Sequence, residues 1–291
     1  MKIQSSSGRL QTIFFTALAM VAFAANSLLN RLALGSSAID AASYTTIRLT
    51  SGAIMLGIIG MSSREKGWIQ QSGSWISAAL LFLYAIAFSF AYLSLSTGTG
   101  ALILFGSVQL TMIIAALRGG ERPHFLEWMG LFLALGGLIY LVFPGLKAPS
   151  PLGSALMTAA GIAWGFYTLR GRDSSDPLAD TASNFIRSVP FILVIGLINF
   201  KNVHLSTNGL ILAGISGAVT SGLGYVVWYT ALRGLTTTRA ATVQLSVPIL
   251  AAWGGILFLS EGVSFRLFLA GILILGGIGV AVRGRGRKAN R

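Results

Sequence analysis

Arg118-Gly119-Gly120-Glu121-Arg122-Pro123 closes one apolar run and leads into another that carries Gly136-Gly137. Leu259-Ser260-Glu261-Gly262 does the same ahead of Gly276-Gly277, and the two carboxylates and the two glycine pairs each lie 140 residues apart. Outward from there, Ser107-Val108 recurs as Ser246-Val247, Arg31 as Arg170 and Arg48 as Arg187, each 139 residues on. The chain carries one pattern twice. Each copy holds five apolar runs, and an odd number of membrane crossings turns the second copy upside down relative to the first.

Composition makes lipid the solvent. The chain is 54% hydrophobic and 10% charged, with a mean hydropathy of +0.76. An ordinary soluble domain is about 25% charged, and each crossing consumes roughly 20 apolar residues. The spacing predicts spans at about 11–33, 41–62, 74–97, 100–117, 125–144, 152–169, 181–199, 208–232, 239–259 and 266–283. This is an all-α membrane protein of ten helices, two inverted five-helix repeats at 1–147 and 148–291. Repeats of this kind build alternating-access transporters, with substrate near the midplane between the halves.

The net charge of +13 sits in short loops and tails, so it speaks of orientation rather than nucleic acid. With the N-terminus inside, 15 of the 21 Lys and Arg fall on the inner side. Four (Arg31, Lys147, Lys201 and Arg266) fall outside, and Arg48 and Arg187 lie within spans. Both termini are therefore expected in the cytoplasm, in a multi-pass protein of the cell inner membrane. Lys2, Arg9 and Ala22-Phe23-Ala24 imitate a cleavable leader, but cleavage would delete the first span and orphan its repeat partner. The chain has no cysteine, which excludes disulfides and thiolate chemistry.

The five-plus-five pattern, the 118–123 and 259–262 runs, and the Gly-rich fifth and tenth spans resemble the drug/metabolite transporter superfamily. More narrowly they resemble its EamA-type ten-helix exporters, with general similarity to the YddG-like exporters of aromatic and other amino acids. The resemblance implies a central cavity surrounded by spans 1, 3, 4, 6, 8 and 9. It implies export of amino acids, or else of drugs or other small metabolites, with no cofactor.

Polar residues inside spans are functional candidates by default. Asn26 and Asn30 lie in span 1, Gln109 in span 4 and Gln244 in the inner half of span 9. The spacing puts Tyr84, Phe88 and Tyr92 on one face of span 3, and Tyr225, Trp228 and Tyr229 on one face of span 8. Trp164 and Tyr167 join them from span 6. These residues either pack the bundle or line an apolar cavity suited to an amphipathic solute. Trp68, Trp75 and Trp128 fit an interfacial belt. Arg48 and Arg187 read either as carboxylate anchors or as snorkelling structural cations, with the second favoured. Pro248, near the middle of span 9, and Gly106 are candidates for a gate, with a static kink as the alternative. Glu121 and Glu261 read as caps of the helices that follow them, and the glycines as packing faces or a dimer seam.

All eight acids fall in loops or at span ends, so no embedded carboxylate is expected to carry protons; Asp40 would overturn this if it lay deeper in the membrane. Transport down the substrate gradient, or exchange, follows. An enzyme is disfavoured, because the buried serines have no His or carboxylate to activate them. No metal site is expected, and internal pseudo-symmetry makes a monomer the expected unit rather than a channel-like ring.

Overall fold

The computed structural model describes residues 6–63, 72–118, 125–142, 148–235, 240, 243–244, 246–262 and 264–286. Among these, ten long helices follow one another: α1 (Ser6–Gly35), α2 (Ala41–Ser63), α3 (Trp75–Ala91), α4 (Thr97–Arg118) and α5 (Phe125–Val142), then α6 (Pro151–Gly171), α7 (Pro177–Ile198), α8 (Thr207–Leu232), α9 (Ser246–Leu259) and α10 (Phe265–Gly286). Five of them, α1, α4, α6, α7 and α8, are long and apolar enough to cross a bilayer. Glu65, Trp68, Glu121 and the tail beyond Gly286 lie outside the described residues.

Local sequence starts several helices. Ser74, Asp176 and Ser206 accept bonds from Ser77, Ala179 and Gly209 amides, capping α3, α7 and α8. Ser150 and Asp176 each precede a proline at the first helical position, where its missing donor costs nothing.

Two expected boundaries move. The third span was expected to run to residue 97, yet α3 ends at Ala91 and α4 begins at Thr97. The Glu261 carboxylate sets that start by accepting the Thr97 amide at 2.8 and 3.1 Å. Glu261 therefore caps α4 in the other half rather than its own next helix. Pro248 lies in the first turn of α9, not mid-helix, and Gln244 sits in the turn before it. Proline cannot donate to the Gln244 carbonyl four residues back, and the Val247 amide takes that acceptor instead, at 3.1 Å.

The packing is nearly unchanged when the halves are exchanged. α3 packs on α6 and α8 on α1; α4 packs on α6 and α9 on α1; α2 packs on α8 and α7 on α3. α2–α7 and α5–α10 lie on the exchange axis. In the α5–α10 seam a Cβ on Gly277 would lie 2.6 Å from the Gly130 carbonyl oxygen, so only glycine fits. A Cβ on Gly136, Gly271 or Gly276 would meet nothing within 4 Å among the described residues. Leu193, Leu197, Trp253, Leu257 and Phe268 point outward, as do Trp75 and Trp128, forming a lipid-facing surface no soluble protein would expose.

The symmetry breaks in α8. Residues Ser216–Leu223 form a π-helical segment, a widened turn that often marks a functional position. It crosses α2 so closely that a Cβ on Gly217 would lie 2.0 Å from the Arg48 carbonyl oxygen.

Candidate functional site

All ten candidate binding residues are buried, none more than 4% exposed. Six of them form the centre. Trp164 of α6 stands 4.6 Å from Tyr225 and 5.0 Å from Tyr84, ring centre to ring centre. Tyr84 is 5.3 Å from Phe88. Phe23 of α1, not anticipated from sequence, holds the group together, edge-on to Trp164 at 5.4 Å, Trp228 at 5.7 Å and Tyr225 at 5.9 Å. Asn26 lies one turn along from Phe23 and donates to the Tyr84 hydroxyl at 3.3 Å. Its carbonyl oxygen accepts from Ser216, Thr220 and Ser221 of the π segment.

Asn26, Tyr84, Phe88, Phe23, Phe105 and Trp164 surround a void of only about 10 Å³. One water needs roughly 10–15 Å³, so the centre is closed in this conformation.

The other candidates lie around that centre. Tyr167 is 5.6 Å from Trp164 and 5.7 Å from Tyr229, and both tyrosines line a larger vestibule of about 160 Å³ with Arg170, Asp180 and Ser77. Tyr92 is edge-on to Phe88 at 4.8 Å, on the opposite side from the vestibule. Gln244 accepts from the Trp164 indole at 3.4 Å. Gln109 is buried on α4 but does not line the void. Gly106 is buried beside Phe105 within an unbroken α4.

Arg48 departs from the favoured reading. It neither snorkels nor bonds backbone carbonyls; it is 1% exposed in the middle of the bundle. Its guanidinium donates to Ser221 at 2.9 Å, Tyr84 at 3.1 Å and Tyr225 at 2.8 Å. It lies 5.2 Å from the ring centres of both Tyr84 and Phe88. Nη1 is buried without a partner among the described residues. Sequence placed Arg48 along the helix axis but gave neither its azimuth nor the hydroxyls facing it from α8.

The end away from the vestibule is tied shut between halves. Arg31 pairs with Glu261 at 3.2 Å and donates to the Tyr92 carbonyl at 3.0 Å, while Glu261 caps α4. Asp40 accepts from the Ser43 and His204 amides and the Asn199 side chain, pinning the α7–α8 loop onto the α1–α2 turn. Burial raises its pKa, but bonds from Ser43, His204 and Ala42 outweigh that and hold the carboxyl below the ordinary value. Asp40 is thus an ionised loop clamp rather than a carboxylate deep in the bilayer.

A bundle whose halves exchange around a buried polar and aromatic centre is the architecture of a multi-pass membrane transporter. The chain belongs to the EamA-like transporter family, whose pattern matches residues 151–283. It is 49% identical to an uncharacterized protein of Pseudomonas aeruginosa, over 97% of this chain and 98% of that one. It is 26% identical to a probable amino-acid metabolite efflux pump of Escherichia coli, over 65% of this chain and 69% of the pump. One solved crystal structure superposes with a TM-score of 0.62 over 91% of this chain and 98% of that one, at 18% identity, which speaks for the fold alone. The protein is a transporter and not an enzyme.

Proposed function

We propose that the protein exports amino acids with aromatic or hydrophobic side chains, and closely related metabolites, by alternating access. The carrying observation is the centre itself: rings from α1, α3, α6 and α8 meet one connected polar network from both halves. Phe88, Trp164, Trp228 and Phe23 give a solute's apolar body flat surfaces, and Asn26, Tyr84 and Tyr225 fix its polar end. Tyr167 lies on the approach from the vestibule, on the side that charge bias assigns to the cytoplasm. Tyr92 lies on the exit side. Gln244 steadies Trp164, Gln109 holds α4 in the wall, and the Pro248 and Gly106 positions absorb the bend as units 1–147 and 148–291 rock. The similarity to a probable amino-acid metabolite efflux pump supports this substrate class. Export of drugs or other small metabolites through the same centre is the second reading, supported by its largely apolar walls.

Transport runs down the substrate gradient, without proton antiport; Asp40, the acid whose deeper placement would have argued for a proton carrier, serves as a loop clamp. Uptake of a labelled amino acid panel into liposomes holding the purified protein tests both points. Saturable flux without ion gradients, competed by aromatic amino acids, is expected. Flux appearing only with a pH gradient or a cationic dye would overturn the amino acid reading in favour of a drug pump.

A further inference from the structure

We infer that Arg48 anchors a carboxylate of the substrate, and that the preferred substrate crosses as a net anion. This rests on the central cleft being the transport site. A guanidinium carries five N–H donors and a fixed charge. Here every bonded partner is a neutral hydroxyl, from Ser221, Tyr84 or Tyr225. The ion pair among the described residues, Arg31–Glu261, is remote from it at the closed end. Buried charges are ordinarily paired, because desolvating one alone is costly.

The centre is also short of acceptors. Asn26, Arg48 and Tyr225 all direct donors at the single Tyr84 hydroxyl oxygen. That oxygen has two lone pairs, and Arg48 Nη1 is left with none. A carboxylate brings two oxygens and one negative charge, and guanidinium meets it in a two-pronged geometry. Arg48 does not itself line the closed void, but the two rings its guanidinium lies over, Tyr84 and Phe88, do, so a solute opening that void along them would bring its carboxylate to the guanidinium. Among the described residues no acid lines the void to match the substrate's amine. Asn26 Oδ1, a side-chain carbonyl at the centre, already accepts three hydroxyl donors. The recognised feature is therefore the carboxylate, and masking or removing the amine improves the fit.

A driving force follows without a proton carrier. A uniporter moving a monoanion is biased outward by an inside-negative membrane potential, whatever path Arg48 takes, since the carrier returns to its starting state each cycle. Moving one charge through 100 mV is worth about 2.3 kcal/mol, a roughly 50-fold concentration ratio. A zwitterion gains nothing.

The test uses the full chain in liposomes with a valinomycin-set potassium potential and three labelled probes: N-acetylphenylalanine, phenylalanine and phenethylamine. The lumen-positive side is expected to accumulate N-acetylphenylalanine by approaching 50-fold per 100 mV, with phenylalanine at a ratio near one and phenethylamine not carried. Arg48→Lys keeps the charge and should retain anion flux; Arg48→Gln should lose it. Potential-independent transport in which phenylalanine outcompetes the anion overturns the anion proposal and leaves the exporter intact. Absence of saturable flux for all three probes, with folding verified, overturns the transport-site reading as well. The wild-type potential measurement decides the matter even where Arg48→Gln fails to fold.

Discussion

Arg48 and Arg187 occupy one repeat position, yet they live in opposite surroundings. Arg48 is sealed in the centre among hydroxyls and rings. Arg187 bonds the Ser72 carbonyl and the Ser183 hydroxyl near the inner end of the bundle. The difference arises in the facing helices. Ser221 and Tyr225 of α8 face Arg48, while one repeat earlier α3 carries Phe82 and Ile86. Phe82 is instead 5.6 Å from Phe191, part of an apolar contact between α3 and α7. The paired helices share one packing scheme, and different residues on the face that looks inward give Arg48 surroundings that Arg187 lacks.

The largest test of that asymmetry removes each arginine. Arg48→Gln should lower transport of a carboxylate substrate about 30- to 5000-fold, as truncating one member of a buried charge pair costs roughly 2–5 kcal/mol. Arg187→Gln should change the same rate by less than about threefold. Equal effects would remove the distinction between the halves. Next is the crossing that places Arg48. Gly217→Ala forces a methyl against the α2 backbone and should destabilise the protein by about 1–3 kcal/mol in a thermal melt. Gly196→Ala on α7, with open space at that position, should leave the melt unchanged.

Glu261→Gln breaks the Arg31 pair and weakens the α4 cap, and should cost about 1–2 kcal/mol. It should also raise labelling of a cysteine placed at Thr97 by a membrane-impermeant reagent from outside. Unchanged labelling would mean the pair does not hold that end closed. The smallest effect belongs to Asp40. Its folded pKa lies below the ordinary 3.8, so its contribution is present above the unfolded value and is lost as pH falls through the folded one. Asp40→Asn should therefore be less stable than the parent at neutral pH, with the gap closing below about pH 3.8; a gap independent of pH would exclude that origin.

The ten spans were legible because lipid demands long apolar runs, and the Tyr84–Phe88 and Tyr225–Trp228 stripes because helical spacing puts them on one face. The end of α3 was not, since residues 92–95 carry no glycine, proline or charge to mark a break and a carboxylate some 164 residues away sets the next helix start. Phe23 was not legible as part of the centre, as a one-dimensional pattern does not say which side of α1 meets α8. The π turn has no sequence mark at all, although it aims Ser216 and Ser221 at Asn26 and brings Ser221 to Arg48.

The solitary guanidinium bears on kinetics. An empty carrier reorienting must keep an uncompensated charge in a dry centre, whereas an occupied one travels neutralised. If Arg48 anchors the substrate as proposed, the vacant return is the slow limb of the cycle. Substrate added on the far side should then speed release of substrate from the near side, with one-for-one swapping outpacing net emptying of a cell.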